Sequence, residues 1–134
     1  MIRLFIVIGL SMALVGVAVI EQHIIQSTYN RLEADTNAII ETIQMQDENV
    51  GDGIATEANI AKINDMYTRW LKSERQLSML ARHFDLAQVS DAMIYAMNFI
   101  TFNNKEEAMA GLLRLRYLIK THSFNIGTSI QNVI

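Results

Sequence analysis

The hydrophobic positions change their spacing along the chain, and each change marks an element. Leu4 to Ile20 is uninterrupted by charge. Beyond it Ile25, Tyr29, Leu32, Thr36, Ile39 and Ile43 recur at alternating steps of four and three, the spacing of a narrow packing seam on a helix. One helix is therefore predicted to leave the apolar stretch and continue to about residue 47. NVGDGIAT, at 49–56, is the clear loop signal, with Thr56 placed to cap the next helix. That second helix, over 57–84, carries Ile60, Ile63, Tyr67, Trp70, Leu77, Leu80 and Phe84 on one stripe. Asp85 and Gln88 resemble a capping box, with Phe84 and Val89 as its hydrophobic staple, so a third helix is expected over 86–102; one kinked helix is the alternative. Asn104 and Glu107 open a fourth helix over 105–133, whose seam is Ala108, Leu112, Leu115, Ile119, His122, Ile126, Ile130 and Val133.

These elements predict an all-α chain. An N-terminal transmembrane helix, residues 1–20, continues into an up-down-up-down four-helix bundle formed by 21–134, because short connections make successive helices antiparallel. The third helix is the unusual one. Asp91 is followed by thirteen uncharged residues, with Met93, Ile94, Tyr95, Met97, Phe99, Ile100 and Phe102 spread around its circumference. Val89, Met93, Ala96 and Ile100 are expected to face the core, which leaves Tyr95, Phe99 and Phe102 at the edges. A helix apolar on more than one face is wrapped by its neighbours, bound to a partner or laid against lipid.

Composition sharpens this picture. The 134 residues include no Pro and no Cys, which favours long helices and excludes disulfides, thiolate nucleophiles and thiolate-held clusters. The net charge of −3, with no basic run interleaved with aromatics, argues against nucleic acid as a partner. Glu21 to Glu48 is acidic, whereas the second and fourth helices are net basic through residues such as Arg69, Lys72, Arg114 and Lys120. That complementarity places the first helix between the other two, although each exposed pair contributes only ~0–1 kcal/mol.

At ~1.5 Å per residue, Leu4 to Ile20 makes a helix of about 26 Å, near the lower limit for a bilayer span. Lipid is thus the expected partner of residues 4–20. Arg3 precedes the stretch and the next Arg is Arg31, so the positive-inside bias places the N-terminus in the cytoplasm and the remainder outside the plasma membrane. The competing reading is a signal peptide cleaved near Gly16 and Ala18, giving a secreted domain. Gly9, Ala13 and Gly16 share one face at small-residue spacing, where two such helices can pack closely as a homodimer.

Catalytic chemistry is hard to find. No nucleophile elbow, phosphate loop or dinucleotide glycine pattern occurs, and no Glu-x-x-His pair of the di-metal bundles. His83 and His122 fall where a ring packs its carbon face, and His23 lies on the wrong helical face to share a metal with Glu21. No catalytic residue, metal or cofactor is expected, and the chain does not read as an enzyme.

The Trp70, Leu77 and His83 run, the apolar helix after it and the ending Asn132-Val133-Ile134 resemble a family of short single-pass membrane proteins of Gram-positive bacteria, a domain-of-unknown-function family. The resemblance covers mainly residues 70–134. It implies membrane attachment and a helical domain, implies no activity, and suits an accessory subunit beside a polytopic membrane protein. The expected function is a membrane-tethered interaction module that binds a membrane or envelope protein through Trp70, His83, Tyr95, Phe99 and Phe102. The alternative is a ligand-sensing or carrier bundle, with a small apolar molecule held among Met79, Met93, Met97 and Met109.

Overall fold

A computed structural model of the chain describes residues 2–79 and 83–131, with side chains placed over 5–79 and 83–124. Four helices account for the fold: α1 (Ile2–Met45), α2 (Glu57–Leu77), α3 (His83–Thr101) and α4 (Lys105–Gln131). α1 is unbroken for 44 residues, about 66 Å at ~1.5 Å per residue, and only its second half meets the other helices. Each helix packs on its neighbour in sequence and α4 closes onto α1; among the described residues, the diagonal pairs do not approach. The result is a square, antiparallel bundle.

The predicted seams form the core. Ile25, Tyr29, Leu32, Thr36, Ile39 and Ile43 of α1 are all buried, as are Val89, Met93, Ala96 and Ile100 of α3. Ala108, Leu112, Leu115, Ile119 and His122 continue the core on α4. The side chains of Ile126 and Ile130, and Val133 altogether, lie outside the described residues. Charge sorts the helices as expected: Arg69 of α2 pairs with Asp35 at 3.2 Å and Lys120 of α4 with Glu33 at 3.5 Å, both acids on α1.

The junction of α2 and α3 departs from the sequence pattern. α2 ends at Leu77 and not at 84, because Ser78 closes it: its amide donates to the Glu74 carbonyl and its hydroxyl to that of Arg75, each at 2.8 Å. Two separate helices result, and α3 begins at His83 rather than 86. Asp85 therefore lies inside the first turn of α3 and does not cap it. Phe84 is 71% exposed while Val89 is buried, so the predicted staple does not form. The stripe on α2 is also rotated: Asn59 and Met66 are buried beside Ile63 and Trp70, whereas Ile60 and Tyr67 are half-buried. Leu80 lies outside the described residues. At the other junctions the local signals hold. Thr56 accepts a hydrogen bond from the Asn59 amide at 3.2 Å, and Asn104 accepts one from the Glu107 amide at 3.1 Å.

The bundle is tightest between α3 and α4. A Cβ on Gly111 would stand 3.1 Å from both Cα and Cβ of Ala96, so this helix-interior glycine sets how closely the two backbones approach. The end of the bundle far from residue 2 is tied by Asn103, which holds a positive φ of 54°. Its Oδ1 accepts from the Ile54 amide at 2.8 Å and its Nδ2 donates to the Glu48 carbonyl at 3.1 Å, which joins the α1–α2 and α3–α4 connections. Gly53, at φ 56°, passes so close that an added Cβ would meet that same Glu48 carbonyl at 2.7 Å. Asn103→Ala loses both bonds and keeps an unfavourable φ, so it should destabilise the fold by about 1–3 kcal/mol; Asn103→Gly, which relieves the φ, should cost less. Thermal unfolding of the two variants tests that order.

Candidate functional site

The structure divides the predicted interaction residues among three places. Trp70 is 2% exposed and belongs to the core, not to a surface. Its indole Nε1–H donates to Ser90 Oγ at 2.7 Å, and its ring stands 6.1 Å from that of Tyr29, tilted by 52°. A large ring with one polar atom is well held where three helices meet, and Trp70 does that work for α1, α2 and α3. His83 is exposed at the start of α3, about 18 Å along the helix from Tyr95 at ~1.5 Å per residue. The remaining three stay together.

Tyr95, Phe99 and Phe102 follow one another at steps of four and three along the flank of α3 that adjoins α4. Tyr95 is 40% exposed, Phe99 half-buried and Phe102 76% exposed. The Tyr95 and Phe99 rings stack at a centroid distance of 4.7 Å, and the Tyr95 hydroxyl donates to the Glu107 carboxylate on α4. The stack and the bond to α4 hold the pair in one arrangement on the surface.

The four methionines do not line a common cavity. Met93 is fully buried, Met97 and Met109 pack half-buried against the core, and Met79 is 90% exposed beyond the end of α2. The described residues form instead an open cleft of about 270 Å³ between α1 and α2, bordered by Arg31, Asp35, Arg69, Lys72 and Ser73. Its charged rim does not suit a small apolar molecule. The pattern of α1 carried a sign of it, because Ser27 and Thr28 are too small to fill the gap opposite Ser73. Among the described residues no group of three or more His, Asp or Glu is placed to hold a metal ion. Gly9 and Gly16 have nothing within 4 Å of where a Cβ would stand, and Ala13 is exposed like the rest of 5–20.

A buried polar node escaped the sequence reading. His122, 6% exposed, approaches Asp85 at 4.0 Å through Nε2, and neither its Nδ1 nor the buried Tyr29 hydroxyl has a hydrogen-bond partner among the described residues. Burial, aided by the Asp85 charge, pushes the Tyr29 phenol up to about 12. Because the folded phenol is the weaker acid, its share of stability is complete below pH ~10 and is lost as pH rises through 12. Tyr29→Phe removes a buried hydroxyl without breaking a bond. It should leave stability at neutral pH unchanged or raise it by about 1 kcal/mol, and should reduce the loss between pH 10 and 12, as read by denaturant titrations across that range.

Comparison with known proteins adds one result. No curated protein and no solved structure gives a significant match. The model of the family described as Domain of unknown function (DUF4363) matches residues 19–133, which takes in the whole bundle and leaves most of the apolar N-terminal stretch outside it. By that match, the chain belongs to the DUF4363 family.

Proposed function

We propose that this protein is a membrane-tethered, non-enzymatic interaction module: a helical bundle held at the outer face of the plasma membrane as an accessory subunit of another membrane or envelope protein. The reading is carried by α1. A single helix contains an apolar stretch with every described side chain over 5–20 exposed, then the core seam of the bundle from Ile25 onward. Exposed apolar residues over that length need a nonpolar medium, and the bilayer is the one that fits a helix of these dimensions. A signal sequence shares the length and composition, but here the helix continues through Ala18 into the bundle, which favours retention over cleavage. Arg3 orients the N-terminus to the cytoplasm.

The partner surface in this reading is the flank of α3 bearing Tyr95, Phe99 and Phe102. Aromatic residues that are exposed, preordered and clustered are the usual anchors of protein interfaces. Gly9, Ala13 and Gly16 offer a further small-residue face within the membrane, on which a helix of the partner or of a second copy would pack.

Cross-linking of the full-length chain in native membranes tests the proposal. A single membrane protein should be captured by the wild type and lost, at least tenfold, by Tyr95→Asp combined with Phe102→Asp, while circular dichroism shows the helices intact. Capture that is indifferent to the double variant, or self-links alone, would overturn it.

A further inference from the structure

Hydrophobic side chains are also exposed at the opposite end of the bundle, the end nearer residue 2. Met79 is 90% exposed just past α2, Phe84 is 71% exposed in the first turn of α3, and Ile24 is 42% exposed on α1. Contacts between helices fix their heights. Gln26 of α1 meets Ser123 of α4 at 3.0 Å, Asp85 of α3 lies 4.0 Å from His122 of α4, and Tyr29 of α1 faces Trp70 of α2. Antiparallel packing of α2 on α1 sets Met79 level with about residue 20 of α1, and the contacts of α3 set Phe84 level with about residues 23–26. Ile20 ends the charge-free stretch, so at ~1.5 Å per residue these side chains stand between the end of the apolar span and about 9 Å beyond it. That is the thickness of a headgroup layer and the depth at which interfacial apolar residues settle.

The sequence at this end matches the location. The described residues on either side of 80–82 are Ser78 and Met79 after α2 and His83 and Phe84 at the start of α3, so a large apolar side chain stands exposed on each side, with Arg75 on the last turn of α2. The connection at the other end contains Asp47, Glu48 and Asp52. After Lys120 the chain carries no Asp, Glu, Lys or Arg, and α4 runs to Gln131, antiparallel to α1 and past the height of Ile24. The bundle thus has a floor with exposed apolar side chains among charges of both signs, Arg75 beside Glu21, Glu74 and Asp85, and a roof whose α1–α2 connection is acidic.

We propose that the floor of the bundle, through Met79, Phe84 and Ile24, lies in the lipid headgroup layer of the leaflet from which α1 emerges, with Arg75 in the last turn of α2 meeting lipid phosphates. The inference rests on α1 spanning the bilayer and adds a second contact with it. Lipid is the occupant because α1 is continuous from the span into the bundle: whatever holds residues 5–20 also brings the floor to the membrane surface. The docked floor would fix the tilt of the bundle and present the α3 flank at a constant height.

The native absence of Cys allows a direct test. Single substitutions Ala13→Cys, Met79→Cys, Phe84→Cys and Val50→Cys in the full chain are spin-labelled and placed in nanodiscs of phosphatidylcholine with phosphatidylglycerol. Collision rates with oxygen, which partitions into lipid, and with a water-soluble nickel chelate then report depth. Labels at 79 and 84 should show an oxygen-to-nickel ratio between those of 13 and 50, at headgroup depth. A ratio equal to that at 50 would overturn the inference and leave the span intact. Protection of 79 and 84 from both reagents would also overturn it, by showing that a second copy covers the floor. Aqueous behaviour at 13 would overturn the membrane reading itself.

Discussion

The constraint on which the structure depends is the continuity of α1. A chain without proline offers no point at which the backbone ladder must open, and α1 runs from Ile2 to Met45 without a break. One rod therefore carries two surfaces with different requirements: an all-round apolar surface below Ile20 and a one-sided seam above Ile25. The other three helices assemble on that seam. Their heights, and the direction each faces, follow from where the seam begins.

Within the bundle, large and small residues divide the labour. Trp70 fills the space between α1, α2 and α3 and anchors its nitrogen on Ser90, while Gly111 and Ala96 let α3 and α4 approach until backbone meets side chain. The looser interface is that of α1 with α2, where small hydroxyl residues leave the charged cleft. Near the floor the core accepts polar atoms, at Tyr29 and His122, that apolar residues of the same shape would spare from desolvation. At the roof Asn103 replaces packing with hydrogen bonds, tying two connections together through one side chain.

The two ends and the flank of α3 give the surface a direction. Acidic residues gather in the α1–α2 connection at the roof, while exposed apolar side chains gather at the floor among charges of both signs. The aromatic strip of α3 runs between them, ordered by the bond from Tyr95 to Glu107.

Much of the architecture was legible in the sequence because heptad-like spacing on a helix is a direct image of burial. The seams of α1, α3 and α4, the caps at Thr56 and Asn104 and the pairing of an acidic helix with two basic ones are all properties of spacing and charge along one chain; the Glu107 half of the box is not, because its carboxylate meets Tyr95 while the Asn104 amide bonds Phe99. The α2–α3 junction was not, because the apolar period runs on through Leu77, Leu80 and Phe84 although Ser78 ends the helix; periodicity records which residues are apolar and not whether the backbone between them stays helical. Spacing placed Tyr95, Phe99 and Phe102 at the edges of α3, but it could not show that Tyr95 meets Glu107 of α4. Residue type left Trp70 open between core and interface, and the packing of three helices buries it. The sequence by itself determined the helices, the long apolar N-terminal stretch and the order of packing. The tertiary structure alone decided where α2 gives way to α3 and which side chains stand exposed at each end of the bundle, because both depend on the heights at which separate helices meet.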